Sequence, residues 1–157
     1  MRNLYEAAIG IKNQIYYLMK FESFDQQGLG IKASWNWAAF IFGGVWALYR
    51  KMYGWFFVLF GIIFLSNFIE KIGSPILSFI VIFIPWILFS VYANSIYHNS
   101  IKKKITVAQL TVNDESKLLE YLRYKGGVQS WVIWVFGAIP AIGILAAILL
   151  PLLARNN

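Results

Sequence analysis

Cysteine is absent from all 157 residues, which excludes disulfides, thiolate metal ligands and cysteine nucleophiles. Acid is scarce as well: seven Asp and Glu stand against 14 Lys and Arg, and charged residues make up only 13% of the chain. A soluble domain carries about 25% charged residues to cover itself, so the composition argues against a soluble globule. There is one histidine, His98. No Glu-x-x-His or His-x-x-x-His pair exists to hold iron or zinc, and a metal site would have to rely on carboxylates. The glycines of "GLG" at 28–30 lack the spacing and the lysine-serine ending of a nucleotide-phosphate loop. The sequence therefore implies no cofactor, no metal and no catalytic centre. Its first twenty residues contain charges and no compact apolar core with a small-residue cleavage site, so they do not read as a removable signal peptide.

What is present is apolar surface. Hydrophobic residues reach 59% and aromatics 18%, with seven tryptophans. Three runs approach or exceed the roughly 18 apolar residues that make a membrane span the default reading. The first is 53–69, "YGWFFVLFGIIFLSNFI", which with Met52 gives about 27 Å of helix. A turn over Glu70, Lys71, Gly73 and Pro75 leads to the second, 76–97, in which Pro85 predicts a kink. The third is 130–153, "SWVIWVFGAIPAIGILAAILLPLL", with Pro140 as a further kink. Its Gly137/Ala141 and Gly143/Ala147 pairs permit close approach of another helix, internal or from a second copy.

Ahead of these spans, residues 3–19 place Leu4, Ala8, Ile11, Ile15 and Leu18 at helical spacing, which predicts one amphipathic helix lying on a partner surface or in the headgroup plane. Gly28 and Gly30 then predict a turn. Residues 106–125 read as a polar stretch in which Asn113 or Asp114 caps a helix bearing Leu118, Leu119 and Leu122, closed by Gly126 and Gly127. The expected organisation is thus an all-α integral membrane protein with four parts. Residues 1–35 form an N-terminal amphipathic region, and 36–105 a short helical element with two spans. A connecting segment over 106–129 follows, and 130–157 hold the third span and tail.

Residues 36–49 pose the topological question. At 14 residues, about 21 Å of helix, they are too short to span. Gly43 and Gly44 in the middle allow the chain to turn. If they crossed, Arg2, Lys12, Lys20 and Lys32 would lie opposite Arg50 and Lys51. If they enter and leave from one side, every basic cluster except Lys71 and Arg155 becomes cytoplasmic, including Lys102, Lys103, Lys104, Arg123 and Lys125. The positive-inside rule favours the second arrangement. It predicts a re-entrant or interfacial wedge with Arg50 and Lys51 as its anchors, a cytoplasmic N-terminus and a C-terminus outside the cytoplasm. In this reading Trp35, Trp37, Trp46, Trp55, Trp131 and Trp134 form an interfacial aromatic belt. Clustered at the span ends, the net charge of +7 points to anionic membrane lipids and not to nucleic acid.

Two polar features remain. Ser90, Asn94 and His98 recur every four residues on one face of the second span. Interhelical hydrogen bonding explains such a stripe, and a conducting path in an oligomer is the alternative. Asn67 in the first span has the same two explanations. The functional reading is a membrane-embedded interaction or accessory protein that contacts anionic lipid, another membrane protein or a second copy of itself. The alternative is a small oligomeric channel or transporter subunit.

The segment "SWNWAAFIFGGVWALYRKMYGWF", with "YYLMKFESF" upstream and "VYANSIYHNSIKKKI" downstream, resembles the domain-of-unknown-function 2628 family of small bacterial membrane proteins. The likeness covers residues 16–105, and "YKGGVQSW" with the final span is similar to a common extension. Trp35, Asn36, Trp37, Phe40, Gly43, Trp46, Tyr49, Arg50 and Lys51 match the motif. Where such members often have Gly-Pro before the central tryptophan, this chain has Gly43 and Gly44. The resemblance implies a bacterial inner-membrane location and an architectural or interaction core at the motif, and it carries no activity.

Overall fold

The computed structural model describes residues 1–155, with side chains described through residue 149. Among the described residues every regular element is a helix. Three stretches are long and apolar enough to cross a membrane: Tyr53–Lys71, Pro75–Thr111 and Trp131–Leu149. That pattern fits a multi-pass membrane protein.

The N-terminal region is two helices, not one. α1 (Arg2–Ile9) ends at Gly10, whose φ of 73° turns the chain, and α2 (Gln14–Gln26) starts afresh. The single face expected over 3–19 is lost at this turn: Ile11 and Ile15 are exposed, while Tyr5, Ala8, Ile9, Tyr17, Leu18 and Phe21 are buried. Glycine tolerates the positive φ that a continuous helix excludes, and the hydrophobic period cannot register such a break. After α2 the chain runs extended past the middle of a long helix. Ser34 N donates to Val91 O at 2.8 Å and Asn36 N to Ser90 O at 3.0 Å.

Residues 36–49 fold as two short helices, α3 (Trp37–Phe42) and α4 (Gly44–Tyr49), hinged at Gly43. Asn36 caps α3 by accepting from Ala39 N at 2.9 Å. Gly43 has φ 49° and ψ −122°, a conformation that glycine adopts freely and other residues do not. A Cβ there would also lie 3.3 Å from the Trp86 ring. The pair makes a V. It starts beside Ser90 and Val91, reaches Trp86 at its tip, where Trp86 Nε1 donates to Phe40 O at 2.7 Å, and returns to the level of Tyr97. Entry and exit thus lie towards the same end of the long helix.

α5 (Tyr53–Lys71) and α6 (Pro75–Thr111) form the central hairpin. Pro75 sits in the first turn of α6, where its missing N–H costs nothing. Ser78 Oγ donates to Ser66 O at 2.9 Å, tying the two helices near the hairpin turn. Asn67 bonds Ile63 O of its own helix, so it makes no interhelical contact through that amide. α6 does not stop at Tyr97 or at the lysines. It continues through "HNSIKKKI" to Thr111, 37 residues in all and about 55 Å long. The outer faces of the hairpin are lined with exposed apolar side chains, among them Phe57, Phe64, Phe68, Phe79 and Ile84.

α7 (Glu115–Lys125) is capped by Asp114, whose Oδ1 accepts from Lys117 N at 2.9 Å. It buries Leu118 and Leu122 and packs on α1. Gly126 is what allows this approach, because a Cβ would fall 2.2 Å from the Ala8 carbonyl oxygen. The final helix begins with a short turn, α8 (Trp131–Ile133), passes through a π-helical turn over Trp134–Ala138, and continues as α9 (Ile139–Arg155). Pro140 accounts for the π turn: it has no N–H for the Phe136 carbonyl and its ring crowds that group, so the helix widens before it. Residues 156–157 of the expected tail lie outside the described residues.

The two central glycines make a sharp test of this geometry. Gly43→Ala is expected to destabilise the purified protein by about 1–3 kcal/mol, because φ 49° strains any side chain. Gly44→Ala, whose Cβ would meet only ordinary contacts at 3.5 Å or more, is expected to be near neutral. Thermal unfolding in detergent of the two variants side by side checks the difference, and equal effects would refute it.

Candidate functional site

Helix α6 presents Ser90, Asn94 and His98 on one face, and the structure buries all three against the N-terminal region. Ser90 Oγ donates to Trp86 O of its own helix at 2.8 Å, while its backbone carbonyl receives Asn36 N. Asn94 is fully buried, and its Oδ1 accepts from Asn36 Nδ2 at 2.8 Å. Its own Nδ2 lies 3.0 Å from the Tyr16 hydroxyl and 3.1 Å from Ser34 Oγ. Asn36 therefore serves two ends at once, with its carbonyl capping α3 and its amide reaching Asn94. The stripe is occupied by protein partners along its length.

One turn further on, His98 Nε2 lies 3.1 Å from both Asp25 Oδ1 and the Tyr5 hydroxyl. The Tyr5 hydroxyl donates to Asp25 Oδ2 at 2.7 Å, and Lys102 Nζ to Oδ1 at 3.0 Å. Burial alone would raise the Asp25 pKa. The Tyr5 hydroxyl, the Lys102 ammonium and the charge of His98 outweigh it and hold the carboxyl below its usual range. Burial first, then Asp25, pushes the Tyr5 phenol well above its ordinary value. Among the described residues no group of three or more His, Asp or Glu side chains is placed to hold a metal.

The third part is Arg50. Expected as an anchor of the wedge at the membrane face, it is 1% exposed. Its guanidinium carbon sits 4.3 Å from the centre of the Tyr17 ring, 5.2 Å from that of Tyr97 and 5.6 Å from that of Tyr49. Nη1 and Nη2 both donate to the Lys12 carbonyl at 3.2 Å, and Nε has no hydrogen-bond partner. The ring faces take the place of a counter-ion. The positive-inside count cannot distinguish a buried arginine from an interfacial one, because it reads only sign and position. Lys51, at φ 58°, turns away and donates from Nζ to the Gly126 carbonyl at the end of α7, where the helix dipole favours a cation. Burial, then the nearby Lys125, lowers its pKa.

The remaining motif residues fall into the same frame. Trp46 is buried against Phe89 and Tyr97, so it belongs to the core and not to an interfacial ring. Tyr49 O accepts from Gln129 N at 2.9 Å, which fixes the start of the last helix. Trp35 and Trp37 are partly or largely exposed and pack edge-on, with Phe40 beside both. Sequence reasoning missed Tyr5, Tyr16, Tyr17, Ser34, Asp25 and Tyr97. Asp25 gave no signal of its own, with Glu22 three residues before it and Gln26 and Gln27 directly after it.

A family model described as "Protein of unknown function (DUF2628)" matches residues 6–103. That range contains the V-shaped pair, the polar stripe and every group around Arg50. No curated protein and no solved structure matches the chain.

Two outcomes follow from the bonding. Replacing Asn94 by Leu leaves Asn36 Nδ2 without its acceptor, so Asn94→Leu should lower stability by about 1–3 kcal/mol, measured by unfolding in detergent. The Asp25 cluster gives a pH dependence of definite sign. Its folded pKa lies below the unfolded value of about 3.9, so its contribution is complete above that value and is lost as the pH falls through the folded one. Hydrogen-exchange protection in α1 and α2, taken relative to the intrinsic amide rates, should fall on acidification below about pH 4, and Asp25→Asn should flatten that response. A variant that keeps the full acid sensitivity would exclude Asp25 as its source.

Proposed function

We propose that this chain, which belongs to the DUF2628 family of proteins of unknown function, is a membrane-embedded accessory protein. In this reading the α5–α6 hairpin and the last helix sit in the bacterial inner membrane. Helices α1, α2 and α7, with the far end of α6, form a cytoplasmic platform that engages another membrane protein or a second copy. The observation that carries it is the consumption of the polar stripe: Asn94 is bonded to Tyr16, Ser34 and Asn36, His98 lies on Tyr5 and Asp25, and the Ser90 hydroxyl is spent on its own helix. Side chains already engaged in this way hold a platform onto a membrane helix and are not free to line a conducting path.

The V of α3 and α4 supports a re-entrant wedge, since it starts and ends towards the same end of α6 with its tip at Trp86. The basic residues support a cytoplasmic N-terminus and an external C-terminus. The platform offers exposed apolar side chains at Leu110 and Tyr124 for a partner.

Photo-crosslinking residues placed at Leu110 and Tyr124 in native membranes should give a discrete protein adduct, and one at Phe64, on the hairpin, should not. Reporter fusions after Lys32, Lys71, Lys104 and Asn157 should read inside, outside, inside and outside. An outside signal after Lys32 would turn residues 36–49 into a true span. Ion flux in liposomes that disappears with folded Asn94→Leu would favour the channel alternative.

A further inference from the structure

The lysine run 102–104 does not act as one unit. Lys102 points to Asp25, with which it forms an ion pair at 3.0 Å. Lys103 and Lys104 instead line a cleft of about 410 Å³ between α6 and α7, and Lys125 faces them from the end of α7. Ser100 and Tyr121 line the same cleft, which has no carboxylate in its wall. Among the described residues none of Lys103, Lys104 and Lys125 has a salt bridge. Lys51, held on the Gly126 carbonyl at the cleft's edge, is close enough to interact electrostatically with both Lys125 and Lys104.

The ammonium groups of Lys51, Lys104 and Lys125, on flexible stems, would separate if nothing opposed their repulsion. Here two constraints hold them together. Lys51 is fixed by its left-handed backbone and its bond to Gly126, and α7 is drawn onto α1 by the close contact of Gly126 with Ala8. Lys104 is only half-exposed, so its charge is partly removed from water. Such an arrangement is costly when empty and favourable around an anion with several oxygens, which can accept from several ammonium groups at once.

We propose that the cleft between α6 and α7 binds a phosphate-bearing anion through Lys103, Lys104 and Lys125. Position makes a lipid headgroup one source. Lys104 lies seven residues beyond Tyr97, about 10 Å along α6. That is just beyond a headgroup layer about 5–8 Å deep on each side of the hydrocarbon, and a flexible lysine stem reaches back into it. A soluble phosphate compound is the other source. Only the lipid arm rests on the membrane reading of α6, and the site does not require the partner protein of the accessory reading.

The test uses the full chain purified in detergent, by native mass spectrometry with phosphatidylglycerol or phosphatidylcholine, and by thermal shift with inorganic pyrophosphate. The parent should retain phosphatidylglycerol over phosphatidylcholine, or be stabilised by millimolar pyrophosphate. The triple variant Lys103→Gln, Lys104→Gln, Lys125→Gln should lose at least about tenfold of that binding, and added salt should weaken it in the parent. The control Lys12→Gln, Lys20→Gln, Lys71→Gln changes net charge equally and should bind as the parent does. Relief of repulsion predicts that the triple variant melts no lower than the parent without ligand. Lys104→Gln alone provides a milder variant should the triple one misfold. Response to the lipid alone identifies a headgroup site, and response to pyrophosphate alone a soluble one. Response to neither, or equal loss in the control, overturns the proposal. Failure of crosslinking at Leu110 and Tyr124 would remove the accessory reading and leave this result standing.

Discussion

A guanidinium withdrawn from water without a carboxylate is the constraint around which this molecule is organised. Arg50 has to find compensation for its lost hydration. It finds it in the faces of Tyr17, Tyr49 and Tyr97 and in the carbonyl of Lys12. Those groups come from the α1–α2 connection, from α2, from α4 and from α6. Only one relative placement of the four segments supplies them all. Because the arginine fork holds two donors on one carbonyl while its plane rests on aromatic rings, lysine cannot reproduce the contact. The Asn36–Asn94 pair then fixes the other end of the V, and Trp86 closes on its tip. The motif is therefore a fastening between chain segments distant in sequence.

The parts of the fold legible in the sequence were those set by length and local chemistry. The three apolar stretches, a cap at Asn113 or Asp114, a stop at Gly126 and Gly127 and a turn at Gly43 and Gly44 all follow from composition or from the special geometry of a few residues, and the structure selects Asp114, Gly126 and Gly43. Helix ends were less legible. α6 runs on to Thr111 because nothing in "HNSIKKKITVAQLT" breaks a helix, while the reading of lysines as a span boundary located the end of apolarity and not the end of the helix. The break at Gly10 was hidden because Leu4, Ala8, Ile11, Ile15 and Leu18 keep helical spacing across it.

The candidate site was legible only from one side. Asn36, Arg50, Ser90, Asn94 and His98 stood out as polar residues in apolar surroundings, but their partners did not. Tyr16 and Tyr17 read as an apolar flank, since a phenol gives no sign in sequence of whether its ring or its hydroxyl is used. Ser34, Trp35 and Lys12 contribute through backbone or short side-chain oxygens, which sequence does not single out. Contacts between residue 5 or 17 and residue 97 or 98 depend on tertiary placement, and no local period reports them.

The unbroken run of α6 gives the molecule a mechanical property. Pro85 to Thr111 is about 39 Å of helix, and proline is where a helix bends most readily. Deflection by about ten degrees there would carry the far end sideways by about 7 Å. Trp86, the next residue, is the one gripped by the tip of the V through the Phe40 carbonyl. The V thus acts as a brace beside the fulcrum of a lever arm. Its fit against that single indole governs how far a disturbance near Pro85 is magnified at the far end of α6.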